Sequence, residues 1–165
     1  MKFCFLLISM LITIGCANPA LALLNAGDTA PDFNAQTLDG HEVSLSSFKG
    51  KLLLIELGTT WCPACNELAH QIEKIRPFLK KKGVTFISAY LADSAASIKS
   101  HLKDEGLKAA DETMIDDGEA RTSYSIFTIP RLLLIDKDFK IVFDEMMLDS
   151  SQLKQRIDAH LQGRS

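Results

Sequence analysis

The chain has 165 residues, of which 47% are hydrophobic and 24% charged, and its formal net charge is −3. This length supports one compact domain, and the composition excludes a disordered, collagen-like or coiled-coil chain. Acidic residues outnumber basic ones, 21 to 18, so there is no positive excess to neutralise phosphates and we expect no nucleic-acid binding.

The first 22 residues have the pattern of a secretory signal peptide. A basic start is followed by an apolar run over residues 3–14, which is shorter than the about 20 residues that a membrane-spanning helix needs. Ala20–Ala22 forms an A-x-A site, which predicts cleavage there and a mature domain over residues 23–165. Two alternatives stay open: lipidation of Cys16, whose surroundings resemble the end of a lipobox, and an uncleaved membrane anchor. All three place the folded domain in the periplasm or another extracytoplasmic space of a bacterium.

The sequence after the signal begins with strand-like patterns. Residues 33–38 and 42–45 flank Asp39-Gly40, a pair that suits a type I′ turn, and they predict an N-terminal β-hairpin. Residues 52–57 form an almost continuous apolar run, which is typical of a strand covered on both faces. Glu56 is the one charged residue of that run.

A helix is predicted from residue 63 to about residue 76. Its apolar residues are spaced by four, three and four positions, which is the stripe of an amphipathic helix. Pro77 should kink the helix or end its first part. The stripe consists of Leu68, Ile72, Ile75 and Leu79.

The second half of the chain continues the alternation of strands and helices. The order after the hairpin is β-α-β-α-β-β-α, which predicts a parallel core with an antiparallel pair at one edge. We therefore expect an α/β fold with one central mixed sheet flanked by helices. The predicted strands are residues 84–90, a possible short strand 113–115, 131–135 and 140–146, and the predicted helices are residues 94–105, 118–123 and 151–161.

Cys62 and Cys65, which would be the two cysteines of the cleaved chain, lie between a predicted buried strand and the start of a predicted helix. The helix dipole and the free N–H groups of the first turn stabilise an anion there, so the pKa of Cys62 should fall below the free-thiol value of ~8.5. Cys62 is then the nucleophile that attacks a disulfide, and Cys65, one turn further on and more covered, is the thiol that resolves the mixed disulfide.

Two other interpretations of the pair are a structural disulfide and half of a zinc site. A structural disulfide over this spacing closes a very short loop and stabilises the fold weakly. A zinc site needs two more ligands at compatible spacing, and the chain has no second C-x-x-C motif. The histidines are scattered over positions 41, 70, 101 and 160. We therefore favour a redox-active pair and expect no metal.

The segment Trp61–Cys65, with the sequence WCPAC, resembles the active site of the thioredoxin superfamily. The opening residues 27–33 and the later segment 124–136, with the sequence YSIFTIPRLLLID, are similar to the exported TlpA/ResA-like branch. This resemblance covers nearly all of the mature chain. It implies a thioredoxin-like fold and an exported thiol-disulfide oxidoreductase with no organic cofactor.

The resemblance also implies roles for three residues that bind the substrate. Pro130 would follow a cis peptide bond and face the cysteine pair, and Ile129 would offer its backbone to an extended peptide. Trp61 would form an apolar wall beside Cys62. The alternatives are a proline that starts an edge strand and a tryptophan that packs in the core.

Glu56 lies where thioredoxins carry a buried acid below the resolving cysteine. A lone carboxylate in an apolar strand is costly unless it is satisfied or used, and this one could accept the proton of Cys65 with a raised pKa. Alternatively, the strand end is solvated and Glu56 points outwards. ResA-like proteins often place their acid in the following helix, where Glu67 stands, without a secure match.

Two other functions have partial support in the motifs. Thr59 stands three residues before Cys62, as in the T-x-x-C motif of peroxiredoxin-like peroxidases, but Ile55 occupies the place of the proline expected there. Sco-like copper-binding modules use a C-x-x-x-C pair with a distant histidine, and the spacing here is one residue shorter.

The direction of electron flow and the partners rest on the resemblance. Ile129 before the proline and a buried acid are similar to reducing thioredoxins, and the TlpA/ResA branch usually reduces, for example during cytochrome c maturation. We expect a monomer that acts on client proteins with cysteines or disulfides and is reduced by a membrane electron donor.

Overall fold

The computed structural model describes residues 24–163, so the predicted signal peptide, its cleavage site and Cys16 lie outside the described residues. No helix in the described part is both long and apolar enough to cross a membrane. The strands are β1 Asn34–Thr37, β2 Glu42–Ser44, β3 Leu52–Gly58, β4 Val84–Leu91, β5 Glu112–Asp116, β6 Arg131–Ile135 and β7 Ile141–Glu145. The helices are α1 Pro63–Glu73, α2 Arg76–Lys82, α3 Ala95–Asp104, α4 Glu119–Ser123 and α5 Ser150–Leu161, with a 3-10 turn over Leu45–Phe48.

The strands form one mixed sheet in the order β2-β1-β5-β4-β3-β6-β7. Strands β3, β4 and β5 are parallel to one another, and each of the other pairings is antiparallel. The predicted α/β fold with a central mixed sheet and an N-terminal hairpin is therefore confirmed. The possible strand at residues 113–115 is a full member of the parallel core.

The prediction of a parallel core is wrong for β6, which runs antiparallel to β3. A parallel connection must return along the whole length of the strands, usually through a helix that spans them. The connection from β5 to β6 covers residues 117–130, but its helix α4 has only five residues and is about 8 Å long, roughly half the length of a five-residue strand. The chain stays at the end of the sheet where β5 finishes, and β6 starts from that end.

The hairpin loop differs from the predicted two-residue turn. The Thr37 N–H donates to the His41 carbonyl at 2.9 Å, which leaves three residues in the loop, and the Gly40 N–H donates to the Thr37 carbonyl at 3.0 Å. Gly40 has φ +81°, a conformation that favours glycine. Three-residue hairpin loops place their left-handed residue at this position, so Gly40 closes the loop without forming a type I′ turn.

Every residue of β3 is buried, as the apolar run predicted. Leu53, Ile55 and Leu57 point into the core on one face, and Leu52 and Leu54 point into the core on the other. The predicted stripe Leu68, Ile72, Ile75 and Leu79 belongs to the second core, so α1 and α2 cover that face. Glu56 shares the parity of Leu52 and Leu54, which directs its side chain towards α1.

Candidate active site

The cysteine pair lies where β3 gives way to α1. Cys62 and Cys65 are joined by a disulfide, and Cys62 is the N-cap of α1. The Cys65 N–H donates to the Cys62 Sγ at 3.2 Å. Pro63 occupies the first turn, where the N–H it lacks would have had no partner within the helix. The Cys62 sulfur thus sits at the positive end of an eleven-residue helix, which favours its thiolate after reduction.

Both cysteines are largely covered in this structure. Cys62 is 8% exposed and Cys65 is 4% exposed. The order agrees with the prediction, but the difference is small. In this oxidised state the Cys62 sulfur is bonded to Cys65 and accepts a hydrogen bond from the first turn, so one side of the atom is occupied.

The loop before the cysteines is fixed by a residue that the sequence did not indicate. Asp93 follows β4 and accepts two hydrogen bonds of 2.8 Å from Thr60, one from its N–H and one from its hydroxyl. This contact joins the loop that carries Trp61 to the end of the neighbouring parallel strand. Because carboxyl ends of parallel strands meet at one edge of a sheet, a polar residue directly after β4 was the available signal for it.

Trp61 and Ile129, predicted to bind substrate, are brought together by the fold. They line one groove of about 230 Å³, and Trp61 is 74% exposed, so it does not pack in the core. The Ile129-Pro130 peptide bond is cis. The β3–β6 register pairs Leu57 with Arg131, which places Pro130 beside Gly58 at the end of β3. Phe127, for which the sequence predicted no role, lines the same groove.

Gly58 brings the end of β3 into close contact with the resolving cysteine. A Cβ at this position would lie 3.0 Å from the Cys65 Sγ and 3.1 Å from its Cβ. Only a residue without a side chain allows α1 to approach the strand this closely. The glycine therefore sets the depth at which Cys65 sits.

Glu56 points inwards, so its solvated alternative is wrong. It is 5% exposed, and burial raises the pKa of its carboxyl from 4.5 to about 8. It lines a small cavity of about 10 Å³ together with Cys65. A cavity of this size has room for about one water molecule.

The same cavity collects polar atoms that lack partners. Thr59 Oγ1 and Asn66 Oδ1 are buried without a hydrogen bond in the described structure, and both residues line it. Thr59 lines both this cavity and the groove beside Trp61. These polar atoms share the cavity with Glu56 and Cys65.

Glu67 and His70 lie outside this cavity, whereas His101 lines it. Glu67 is exposed and accepts a hydrogen bond of 2.6 Å from Gln71. His70 lies 3.4 Å from Glu105 on the surface. Over residues 24–163, no three His, Cys, Asp or Glu side chains come together as a metal site.

Comparisons with known proteins agree with this geometry. The profile of the Redoxin family matches residues 25–155. The thiol-disulfide oxidoreductase ResA of a Bacillus cereus strain is 30% identical over 140 residues, covering 84% of this chain and 78% of its own. ResA of Geobacillus kaustophilus is 28% identical over 137 residues, covering 82% of this chain and 76% of its own.

Solved structures give the same fold. The thioredoxin domain of a thiol-disulfide oxidoreductase from Bacteroides vulgatus has a TM-score of 0.72 at 25% identity, covering 83% of this chain and 98% of that one. A thiol:disulfide interchange protein from Bacteroides sp. has a TM-score of 0.73 at 24% identity, covering 85% and 92%. The chain belongs to the Redoxin family and is a TlpA/ResA-like thiol-disulfide oxidoreductase of the thioredoxin superfamily.

Proposed function

We propose that this protein acts outside the cytoplasm and reduces disulfides in client proteins through Cys62 and Cys65. The observation that carries the proposal is the bonded pair at the start of α1, with a buried carboxyl on the same cavity as Cys65. The signal-like N-terminus supports export, and the ResA relatives support thiol-disulfide chemistry. A buried acid of raised pKa supports reduction, because it assists the thiol that must lose a proton.

In the first step the Cys62 thiolate attacks one sulfur of the client disulfide. A bond forms between Cys62 and that sulfur, the client disulfide breaks, and the second client sulfur leaves as a thiolate with the electron pair. The thiolate of Cys62 is stabilised before the attack by the N–H groups and dipole at the start of α1.

In the second step Cys65 resolves the mixed disulfide. Glu56 accepts the proton of the Cys65 thiol through the shared cavity, and the resulting thiolate attacks the Cys62 sulfur. The Cys62–Cys65 disulfide forms again, and the client leaves with both of its sulfurs reduced. The client has gained two electrons and the pair has lost two.

The proposal also covers how the client is bound and how the pair is reduced again. Ile129 and Pro130 bind the backbone of an extended client segment, and Trp61 covers its apolar side chains. A membrane-bound dithiol donor returns the two electrons to the pair. Apocytochrome c, whose cysteines must be reduced before haem is attached, is the class of client that the ResA-like character favours.

Trapping tests the assignment of the two cysteines. The Cys65→Ser variant should accumulate a mixed disulfide with a client or with a disulfide-bonded test peptide, because nothing displaces the partner from Cys62. The Cys62→Ser variant should accumulate none. Adduct is measured by mass spectrometry after acid quenching, with the double variant as the control for non-specific adducts. Equal trapping by both single variants would show that the roles are assigned wrongly.

A further inference from the structure

A groove opens beside the disulfide between two loops of the site. Its lining includes Trp61, directly before Cys62, and Phe127 and Ile129, close before Pro130. Ile126 and Leu91 also line it and are buried. The groove measures about 230 Å³, which is room for one large side chain and part of a neighbouring residue. The groove is therefore lined by the residue directly before Cys62 and by the residue directly before Pro130.

The groove is lined by the two most exposed large hydrophobic residues of the described chain. Trp61 is 74% and Phe127 is 71% exposed, the two highest values among its large hydrophobic residues. Exposed apolar surface of this kind next to a reactive group marks a binding surface. The Phe127 loop is held in place, since the Ile126 N–H donates to the Arg121 carbonyl at 2.9 Å.

The groove also carries one charge. Arg121, in α4, is the single charged residue among those that line it. Its side chain is exposed and makes no ion pair within residues 24–163. The other residues that line the groove are uncharged, so this positive charge is a local feature of the groove.

We propose that the groove selects an extended client segment with an apolar side chain and a carboxylate close to the reactive cysteine. The apolar side chain lies between Trp61 and Phe127, and the carboxylate pairs with the Arg121 guanidinium, which binds carboxylates in a planar, two-point geometry. The inference rests on the proposed function, since it specifies which clients the same site accepts. The selectivity for clients then comes from one charge in an apolar groove, and the pairing of the client backbone does not depend on the client's sequence.

The first chemical step measures this selection in isolation. In the Cys65→Ser variant, Cys62 attacks the sulfur of a peptide cysteine that is disulfide-bonded to a chromogenic aromatic thiol. A bond forms between Cys62 and the peptide sulfur, and the aromatic thiolate leaves with the electron pair and is read by its absorbance. Test peptides carry a leucine beside the cysteine and either glutamate or glutamine, placed one to four residues away on each side.

The rates of thiolate release are compared between the Cys65→Ser variant and the same variant that also carries Arg121→Gln. The glutamate peptide should react about two- to fivefold faster than the glutamine peptide at low salt at one or more of these positions, the range expected for an exposed ion pair. Arg121→Gln should abolish the preference, and Arg121→Glu should reverse it towards a lysine peptide. Phe127→Ala should slow both peptides alike, roughly tenfold, through lost apolar contact.

Matched controls separate binding from other effects of the charge. Lys103→Gln removes an exposed charge in α3, outside the residues that line the groove, and should keep the preference. The alkylation rate of Cys62 by a neutral reagent should be the same with and without Arg121, which excludes an effect on the thiol itself. Added salt should reduce the preference, because exposed charges are screened.

Two results would overturn the inference while leaving the proposed function intact. One is equal reaction of glutamate and glutamine peptides at every position, with normal release of the aromatic thiolate. The other is a preference that survives Arg121→Gln. If no peptide releases the thiolate at all, the proposed function itself fails.

Discussion

Glu56 contributes a carboxyl with a pKa of about 8, which burial raises from 4.5. At pH 6 the group is almost entirely protonated and cannot accept a proton, whereas above pH 8 most of it is ionised and can. The proton-accepting form therefore increases as the pH rises through the value of about 8. This single titration links the burial of one side chain to the rate at which the mixed disulfide is resolved.

We expect Glu56→Gln to slow resolution of a preformed mixed disulfide on the order of 100-fold at pH 8, the scale of a lost general base. In the unaltered protein the rate should rise with a midpoint near pH 8, and the variant should lack that rise. Stopped-flow release of the client thiol from the Cys62 adduct measures both, and Glu67→Gln is the exposed-acid control. If Glu56→Gln and Glu67→Gln gave identical pH profiles, Glu56 would not be the proton acceptor.

At the scale of elements, the contact between β3 and α1 places the resolving thiol. Gly58 ends the strand, and a Cβ there would lie 3.0 Å from the Cys65 sulfur. We expect Gly58→Ala to lower the free energy of unfolding by about 1–3 kcal/mol through overpacking and to slow resolution by displacing Cys65. Denaturant unfolding and the same stopped-flow assay measure the two effects.

A substitution at a glycine remote from the site provides a control that separates the loss of stability from the displacement of the Cys65 thiol. Gly106 ends the turn after α3 with φ +65°, so Gly106→Ala should also destabilise the fold, by about 1 kcal/mol. It should leave the resolution rate unchanged, because it contacts neither cysteine. If Gly106→Ala slows resolution as much as Gly58→Ala does, the close approach at Gly58 has no special importance.

The elements that the sequence predicted well are those with a strong local pattern. The strand β3 is predicted by its continuous apolar run, and the helical stripe is predicted by the spacing of its apolar residues. Both predictions are confirmed; the stripe consists of Leu68, Ile72, Ile75 and Leu79. The direction of β6 was not accessible in this way, because it depends on how short α4 is relative to the sheet it would have to cross. Phe127 was missed because a single aromatic residue in a loop has no period.

At the scale of the whole molecule, one buried ion pair joins distant parts of the chain. Arg131 Nε donates to Asp144 Oδ1 at 2.8 Å, and the Leu24 N–H donates to Asp144 Oδ2 at 2.8 Å. The Arg131 guanidinium also contacts the carbonyl of Tyr124, in the loop that leads to Pro130. Four segments thus meet at this ion pair, and no local sequence signal predicts the contact because it requires the finished sheet.

The free energy of unfolding of the oxidised protein should depend on pH because the Glu56 carboxyl titrates differently in the folded and unfolded states. In the unfolded chain the carboxyl loses its proton near pH 4.5, whereas in the folded protein it keeps the proton up to about pH 8. Between these values the folded state binds more protons, so the free energy of unfolding falls as the pH rises, by a few kcal/mol in all.

Glu56→Gln removes this titration, so its unfolding free energy should change less between pH 5 and pH 8 and exceed that of the unaltered protein at pH 8. Urea unfolding at the two pH values measures the difference, and Glu67→Gln serves again as the exposed control. Parallel pH profiles for Glu56→Gln and the unaltered protein would show that the carboxyl titrates normally in the folded state.

The reactivity of the two reduced sulfurs tests the central claim most directly. The reduced protein is alkylated with iodoacetamide over a range of pH, and the modification at each cysteine is quantified by peptide mass spectrometry. The account predicts that Cys62 reacts first, with a midpoint well below ~8.5, while Cys65 stays largely unmodified over the same range. Equal reaction of both sulfurs with midpoints at or above ~8.5, or no reaction at either, would contradict it.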